Sequence, residues 1–453
     1  MRPARLALSS ALSLLLVCAG LAQDPPAAHP LLRAGPMIGW VGSRSAGVWV
    51  QTERPARVEL RLVPEGRPEA ARVAPALTSL AAEDCALAFE LEGLEPATRY
   101  ELEVFLDGKR APRPWPVRLV TRPDEAAGGP PGAVSLLAGS CALIDAEGRA
   151  LAAPPGPYRI FGSMAREGAD AMLWLGDNVY LRHGDWESAA AIFARYRQDR
   201  ALPELQPLLA ACPHYAIWDD HDFGPNDSDR TYPLKEVTLR AFARYWPARA
   251  RGLPGAPGVF QRVSLADVDV LLLDDRWYRD PNADPEGPEK RLLGRVQLEW
   301  LQRELLASRA TFKLVAGGGQ FLNSASRFES MTRYPAELAA LLGWIVERRV
   351  EGVVFLSGDR HHGELLRVER PGCYPLWELT TSPLTSGAHQ LQPDDPEHAN
   401  PLRVPGTLVG DRNYALLRVG GPREARVLSL ELRDADGRSL WRREVRAAQL
   451  RLP

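Results

Sequence analysis

The chain has 453 residues, of which 45% are hydrophobic and 25% are charged, so it is long enough for two or three domains with buried cores. Its 55 Lys and Arg nearly balance its 57 Asp and Glu, and the formal net charge is −2. This balance gives no general affinity for nucleic acid or for an acidic membrane surface. The 40 Pro and 38 Gly favour a structure with many turns over a helical bundle.

Residues 1–22 have the pattern of a secretory signal peptide. Arg2 and Arg5 precede an apolar run at 6–17 that is too short to span a bilayer, and small residues end the segment. An uncleaved anchor, or a lipid anchor at Cys18, are the alternatives. No later run approaches the ~20 apolar residues of a membrane-spanning helix. We therefore expect a secreted or periplasmic protein with no stable membrane span after signal cleavage.

Residues 35–122 have the alternating pattern of an all-β domain and follow a polar lead segment at 23–34. Three runs show the alternation most clearly: 48–52, 58–62 and 100–104. The turn at 94–100 resembles the turn before a late strand in fibronectin type III-like sandwiches. These features predict a fibronectin- or immunoglobulin-like β-sandwich. Its composition marks 123–132 as a linker.

After this linker, residues 133–453 alternate apolar strands with longer helical stretches such as 186–196 and 297–307. That alternation predicts an α/β domain with a layered sheet. The segment 426–432 returns to strict alternation, and the turn at 434–437 follows it. We therefore expect closing strands that belong to the same domain.

Export would place the cysteines after the signal segment in an oxidising compartment. They are Cys85, Cys141, Cys212 and Cys373. Their spacing cannot define a pairing. If Cys141 binds a metal ion, at most one disulfide can form among the other three.

Five apolar runs end in side chains that can bind a metal ion or a phosphate group. The five ends are Gly139-Ser140-Cys141, Gly176-Asp177-Asn178-Val179-Tyr180, Asp219-Asp220-His221-Asp222, Asp274-Asp275-Arg276 and Gly358-Asp359-Arg360-His361-His362. In open α/β sheets, ligands bind beyond the carboxyl ends of the strands. Carboxylates are rarely buried unless they are paired or bound to a metal. The five ends are therefore expected to converge on one metal cluster.

The side-chain types at these ends suit a pair of cations that binds a phosphate group. Asp177 is the candidate for the bridging carboxylate, because a carboxylate has two oxygens. Tyr180 is close enough in sequence to reach the same ion, and a phenolate favours a ferric centre. Asp359 and His361 are two residues apart, so both could face the site from an extended segment. The thiolate of Cys141 would add a softer ligand.

Together these motifs resemble the PhoD-like alkaline phosphatase family of the calcineurin-like binuclear metallophosphatases. The resemblance covers nearly the whole mature chain and extends to Thr381-Ser382-Pro383-Leu384. It implies a metallophosphatase-type layered α/β sandwich after the β domain. It also implies hydrolysis of phosphomonoesters or phosphodiesters by a metal-activated hydroxide, with ferric iron and calcium as cofactors. Zinc or another divalent ion stays open.

By position, the resemblance assigns six residues to the metal ions: Cys141, Asp177, Tyr180, Asp220, Asp359 and His361. His221 would act as a general acid or donate a hydrogen bond to phosphate. Asn226 would bind metal or phosphate, or else be a turn residue. Arg276 would grip phosphate oxygens, or else form a salt bridge to a nearby aspartate.

Three positions depart from the pattern of the wider family. Gln320 stands where relatives often have histidine, which leaves one coordination position open. Asp222 replaces a more usual glutamate, and His362 is an additional histidine that could support the ligands.

Two other functions remain open at this point. The first is a surface protein that binds carbohydrate or a partner through its β domain and has an inactive α/β scaffold. The second keeps the metal centre but cleaves phospholipid headgroups. The intact set of ligands argues against the first alternative, and the sequence leaves the second open. We expect a small phosphate ester as substrate, with no nucleic acid as a specific partner.

Overall fold

The computed structural model describes residues 29–124, 132–145, 156, 158–326 and 328–453. The expected signal peptide at 1–22, most of the lead segment and most of the linker lie outside the described residues. The described residues form an all-β region followed by an α/β region.

Nine strands form the β region within residues 29–124. They are β1 (Leu32–Val41), β2 (Ser45–Thr52), β3 (Arg57–Pro64), β4 (Arg72–Val73), β5 (Leu77–Thr78), β6 (Ala86–Glu92), β7 (Arg99–Leu106), β8 (Lys109–Arg110) and β9 (Arg118–Val120). β1, β2 and β6 form one sheet, and β3 and β7 form the centre of the other. The three runs expected to be strands lie within β2, β3 and β7. β1 begins three residues before the expected domain boundary at residue 35.

The turn before β7 is closed by a tyrosine side chain. The hydroxyl of Tyr100 accepts a hydrogen bond of 2.8 Å from the backbone N–H of Glu95. Tyrosines near the start of a late strand make such contacts in immunoglobulin-type sandwiches. The contact favours a sandwich, although the fibronectin- or immunoglobulin-like identity stays a prediction.

Twelve strands and seven α-helices form the α/β region, among the residues described from 132 onward. The strands are β10 (Val134–Gly139), β11 (Ala171–Leu175), β12 (His214–Ile217), β13 (Gln261–Leu265), β14 (Val268–Leu272), β15 (Phe312–Ala316), β16 (Val353–Ser357), β17 (Glu364–Val368), β18 (Leu376–Thr380), β19 (Asn413–Gly420), β20 (Val427–Asp434) and β21 (Ser439–Arg446). The helices are α1 (Arg159–Ala165), α2 (Ala189–Arg200), α3 (Gln206–Ala211), α4 (Asp220–Phe223), α5 (Lys235–Tyr245), α6 (Gly294–Ala307) and α7 (Pro335–Glu347).

These strands form two mixed sheets of six strands each. The first has the order β12-β11-β10-β19-β20-β21, and the second has the order β13-β14-β15-β16-β18-β17. β10, β11 and β12 run parallel in the first sheet, as do β14, β15, β16 and β18 in the second. The strands β11, β14, β15 and β16 are buried at every residue, as parallel strands covered on both faces should be. Both sheets contribute to one hydrophobic core.

The closing strands belong to the first sheet. β19 pairs antiparallel with β10, and β20 and β21 extend the sheet beyond β19. The hairpin between them turns at Gly437, whose N–H donates to the carbonyl of Asp434 at 3.0 Å and whose φ is +85°. Glycine tolerates this left-handed conformation. The expectation of closing strands in the same domain agrees with this pairing.

The β region packs directly on the α/β region. The N–H of Gly35 donates to Oε1 of Gln206 at 2.8 Å, and the indole of Trp49 donates to the carbonyl of Arg244 at 2.9 Å. Met37 and Trp49 lie in the hydrophobic core of the α/β region. α3 and α5 therefore form the docking surface for β1 and β2.

Two further expectations bear on cysteines and membranes. The four cysteines of the described residues are free thiols, which fits the limit of at most one disulfide. Among the helices of the described ranges, none is long and apolar enough to cross a membrane.

Candidate metal centre

The carboxyl ends of the parallel strands bring three overlapping groups of metal-binding side chains together. Within each group the ligand atoms lie within 4.8 Å of one another. The groups are Cys141, Asp177 and His361; Asp177, Asp220 and His221; and Asp220, Asp227 and Glu329. Asp177 belongs to the first two groups. It therefore occupies the position that a bridging carboxylate requires.

The first group combines sulfur, nitrogen and oxygen donors. The Sγ of Cys141 lies 3.6 Å from Oδ2 of Asp177. The hydroxyl of Tyr180 lies 3.1 Å from the same oxygen and 3.3 Å from Nε2 of His361. Ligand atoms bonded to one ion at about 2.0–2.3 Å are themselves about 3–3.8 Å apart. The four side chains fit a single transition-metal ion, and this donor set suits iron or zinc better than calcium.

The backbone turns sharply at four of the expected ligands. The φ angles are +58° at Cys141, +52° at Asp177, +64° at Asp359 and +53° at His361. Residues other than glycine adopt this left-handed region rarely, at a cost of about 1–3 kcal/mol each when the surroundings enforce it. Such strain concentrates at functional sites. Here it directs the chain back toward the cluster immediately after each strand.

The second group lies at the start of α4. The backbone N–H of His221 donates to Oδ1 of Asp177 at 3.2 Å and to Oδ1 of Asp220 at 3.0 Å. The imidazole of His221 stacks on Tyr180, with 4.3 Å between ring centroids and 26° between planes. Its Nδ1 is buried and has no hydrogen-bond partner among the described residues. His221 thus joins the two groups that share Asp177.

The buried acidic side chains of the cluster need a nearby positive charge in order to ionise together. Burial raises the pKa of Asp177 well above its usual value, and the neighbouring Asp220 adds to this effect. Burial also raises the pKa of the Cys141 thiol to about 12, with a contribution from Asp359. Burial opposes ionisation of Asp220 too, but Arg276 and His221 outweigh it and hold the pKa at about 2. A bound cation is what lets such a concentration of acidic groups ionise together.

Asp222, which departs from the family's usual glutamate, holds the loop that carries Asp177 and Tyr180. Its carboxylate accepts hydrogen bonds from the N–H groups of Asn178 and Val179, both at 3.0 Å. It also accepts one from the N–H of Asp219 at 3.1 Å. The shorter side chain is long enough to fix this loop relative to α4.

Two expected ligands lie differently from the prediction. The segment around Asp359 and His361 is not extended, because both residues have left-handed φ angles. The carboxylate of Asp359 lies outside the three groups and 3.7 Å from a guanidinium nitrogen of Arg360, while its carbonyl lies 3.7 Å from Sγ of Cys141.

Asn226 is exposed on the loop after α4, next to Asp227. Metal or phosphate binding by Asp359 and Asn226 stays a prediction.

Arg276 has the ion pair that was the alternative to phosphate binding. It is buried, and its Nε donates to Oδ1 of Asp219 at 2.6 Å. Its Nη2 pairs with the same carboxylate and, at 2.7 Å, with Glu329. These partners take the guanidinium that a phosphate group would use, so a phosphate-binding role for Arg276 would require the ion pairs to rearrange.

Gln320 and His362 have structural surroundings. The amide of Gln320 donates to Glu364 and to Thr380, both at 2.8 Å. His362 is fully buried, with its Nε2 at 3.5 Å from Glu364. Neither residue is among the ligand groups. The amide of Gln320 is therefore held by hydrogen bonds within the protein.

The third group contains two acids, Asp227 and Glu329, to which no sequence motif assigned a role. Asp227 donates its backbone N–H to Oδ2 of Asp220 at 2.7 Å. Glu329 pairs with Arg279 at 2.5 Å as well as with Arg276. Because two guanidinium groups already compensate its charge, Glu329 is a weaker candidate for a cation than Asp177. Glu329 is far in sequence from every motif, so no sequence pattern identified it as part of the site.

Comparison with known proteins identifies the family. Residues 136–408, well over half of the chain, match the family model of the PhoD-like phosphatases. The chain belongs to the PhoD-like phosphatase family. This finding confirms the resemblance stated from the motifs. Residues 29–123 match a second family, described as a domain of unknown function, DUF7800.

One curated relative and two solved structures add to this assignment. Alkaline phosphatase D of Bacillus subtilis (strain 168) is 29% identical over 257 residues, which cover 46% of this chain and 43% of that protein. The chain thus matches less than half the length of this relative. A structure of PhoD covers 95% of this chain and 93% of its own, at 19% identity and a TM-score of 0.75.

The second structure is the purple acid phosphatase PPD1 from yellow lupin (Lupinus luteus) seeds. It covers 92% of this chain and 74% of its own, at 11% identity and a TM-score of 0.64. At these identities the two structures show the fold alone. The α/β region accordingly has a metallophosphatase-type fold.

Proposed function

We propose that this member of the PhoD-like phosphatases is a metal-dependent phosphoesterase that hydrolyses phosphomonoesters or phosphodiesters. The observation that carries the proposal is the sharing of Asp177 by two adjacent groups of ligands. A bridging carboxylate between two cations is the arrangement that two-metal phosphoesterases use. The family assignment supports the same reaction class.

The two groups differ in the ions that they would hold. Cys141, Tyr180 and His361, together with Asp177, would hold iron or zinc, since sulfur and nitrogen donors select these metals. Asp220, also together with Asp177, would hold calcium or another oxygen-seeking ion. When bound, the two cations would supply positive charge to the phosphate oxygens and acidify a water molecule.

The protein's own residues would position the substrate and donate one proton to the leaving group. His221 belongs to the second group and stacks on Tyr180, which lies beside the first. We assign to it the donation of a proton or hydrogen bond to the leaving oxygen. Asp222 would keep Asp177 and Tyr180 at their distances by holding the intervening loop.

The proposal is tested with the purified full chain loaded with iron and calcium or with zinc. The substrates are p-nitrophenyl phosphate and bis(p-nitrophenyl) phosphate, which distinguish monoesterase from diesterase activity. We expect hydrolysis of at least one, and a loss of about 10²-fold or more in kcat/KM for Asp177→Asn. Asp436→Asn, an exposed carboxylate of the β20–β21 turn, is the matched control and should retain full activity.

A metal-loaded wild-type protein that hydrolyses neither ester would remove this proposal. So would an Asp177→Asn protein that is as active as Asp436→Asn. The binding-protein alternative would then be favoured, because it requires no bound metal for its function.

Export is proposed together with this activity, on the pattern of residues 1–22. Amino-terminal sequencing of the protein recovered outside the cytoplasm should begin after residue 22. A mature protein that still begins at Met1 would contradict export by signal cleavage.

A further inference from the structure

A crevice of about 690 Å³ lies between the β region and the α/β region. Its walls come from the end of β1, from the last residues before the linker, from the loop after α5, from β13 and from α6. None of the metal-centre residues described above lines it. Crevices of this size at domain boundaries are common places for small ligands.

Three arginines on these walls have no acidic partner among the described residues. Arg122 donates to the hydroxyl of Tyr215 at 2.6 Å and to the carbonyl of Ser264. Arg249 is exposed, with its guanidinium carbon 5.8 Å from the ring centroid of Trp40. Arg251 donates to the carbonyl of Trp246. The crevice is therefore locally positive in a chain whose formal net charge is −2.

Arg251 gives the clearest sign that a ligand belongs here. Its Nη1 is buried and has no hydrogen-bond partner among the described residues. A buried donor left in this state costs about 1–3 kcal/mol, and more when it is charged. Burial lowers the pKa of Arg251 to about 10, so the guanidinium is still charged at neutral pH. Arg251 lines the crevice, so a side-chain rotation that turns Nη1 toward a bound oxyanion would satisfy this donor.

The carboxylates that line the same crevice do not neutralise these arginines. Asp124 pairs with Arg44 at 3.4 Å, and Glu304 pairs with Arg262 at 2.9 Å. Each of these two carboxylates is thus paired with an arginine other than Arg122, Arg249 and Arg251. The positive charge of Arg122, Arg249 and Arg251 remains available to a ligand.

Flat apolar side chains complete the crevice. Trp40, Phe260 and Trp300 line it, and the rings of Phe260 and Trp300 lie 4.9 Å apart between centroids. The three residues are 1–6% exposed in the free protein, and their rings would add apolar contact to a flat ligand. Guanidinium groups match phosphate and carboxylate oxygens in pairs.

We propose that this crevice is a second binding site, for a small organic anion in which a phosphate or carboxylate group is joined to a flat apolar part. The oxyanion binds to Arg249 and Arg251, and the flat part lies against the aromatic wall. A neutral sugar would leave the charged guanidinium groups unpaired, so it is a poorer fit. The site is independent of the phosphoesterase reaction.

The test is titration calorimetry of the metal-loaded full chain with phenylphosphonate, whose carbon–phosphorus bond a phosphoesterase does not hydrolyse. Benzoate is the carboxylate arm, and inorganic phosphate tests the contribution of the flat part. We expect phenylphosphonate or benzoate to bind about tenfold or more tightly than inorganic phosphate. We expect Arg249→Gln and Arg251→Gln each to weaken that binding about tenfold or more, because each removes a charge-assisted hydrogen bond.

Two comparisons separate the crevice from the metal centre. Arg438→Gln removes an exposed charge of the β20–β21 turn, away from the crevice, and should change the affinity less than twofold. Asp177→Asn should leave binding in the crevice intact, whereas it would weaken binding at the metal centre. Hydrolysis of aryl phosphates should be unchanged in Arg249→Gln.

The proposal is overturned if neither probe gives saturable binding that survives Asp177→Asn. It is also overturned if Arg249→Gln, at an exposed position where folding is not at risk, binds both organic probes as tightly as Arg438→Gln does. Equal affinity for inorganic phosphate and phenylphosphonate would remove the role of the aromatic wall.

Discussion

Gly358 lies where the second sheet meets the first, and replacing it by alanine tests how the ligands are brought together. It follows β16 directly and precedes Asp359. A Cβ atom built on Gly358 would lie 2.5 Å from Cβ and Oγ of Ser140 and 2.7 Å from the carbonyl oxygen of Leu175. Ser140 precedes Cys141, and Leu175 ends β11 just before the Asp177 loop. The glycine therefore permits the close approach of three strand ends.

The size of the effect follows from these distances. Ordinary carbon contacts begin near 3.4–4.0 Å, so Gly358→Ala requires the strand ends to separate by about 1 Å. Overpacking of this kind costs about 1–3 kcal/mol of unfolding free energy. A displacement of about 1 Å at a catalytic group can reduce activity about 10²-fold. We expect both effects, together with weaker metal binding, because the displaced segments carry Cys141, Asp177 and Asp359.

The assays are thermal unfolding, metal content and kcat/KM for bis(p-nitrophenyl) phosphate. The matched control is Gly343→Ala in α7, where a Cβ would meet nothing within 4 Å. Since alanine is favoured over glycine in a helix, this control should be stabilised by about 0.5–1 kcal/mol and stay fully active. If the two variants have the same activity and metal content, the close approach of the strand ends does not position the ligands.

Three further predictions follow from individual contacts. His221→Asn should reduce kcat more for phenyl phosphate than for p-nitrophenyl phosphate, since the poorer leaving group depends more on a proton donor. Equal losses of kcat for the two substrates in steady-state kinetics would argue against proton donation by His221. Arg276→Ala should lower the unfolding free energy by about 3–5 kcal/mol, because it leaves Asp219 buried without its partner. Arg295→Ala, which removes one side of an exposed ion pair, should change the unfolding free energy by less than about 1 kcal/mol. Similar denaturation midpoints for the two variants would contradict this expectation. Burial lowers the pKa of His214 to about 3, so the unfolded chain takes up a proton on this histidine at a higher pH than the folded chain does. The unfolding free energy of the wild type should therefore fall by about 4–5 kcal/mol between pH 6.5 and pH 3. The same acid sensitivity in His214→Gln would refute this expectation.

The sequence predicted the parallel strands and their ends most successfully. Apolar runs that are buried on both faces leave a continuous signal, and β11 and β16 end directly before the expected motifs that begin at Gly176 and Gly358. Helix ends were less accurate. α2 begins at Ala189 because Ser188 accepts a hydrogen bond from the N–H of Ala191 at 3.2 Å, and the residues expected to start the helix form a separate 3₁₀ turn.

The arrangement of the sheets required long-range information. The pairing of β19 with β10 joins segments more than 270 residues apart, and alternation alone does not select a partner strand. The docking of the β region on α5 depends on single contacts such as the indole of Trp49 with the carbonyl of Arg244. Neither feature has a local pattern in the sequence.

At the metal centre, residue types and strand ends were enough to bring Cys141, Asp177 and His361 together. They were not enough to orient Asp359, because its left-handed φ follows from the tight approach of two sheets. Arg276 shows the same limit, since its carboxylate partner Glu329 lies 53 positions away. Local motifs identify which groups can bind metal, and tertiary packing decides which of them face the ions.

Two cations that share Asp177 would be detected by elemental analysis of the purified full chain. We expect about two metal ions per wild-type chain and a loss of metal from both groups in Asp177→Ala, because both use this carboxylate. A wild-type protein that binds no metal, or an Asp177→Ala protein with undiminished metal content, would show that the two groups do not form a shared metal centre.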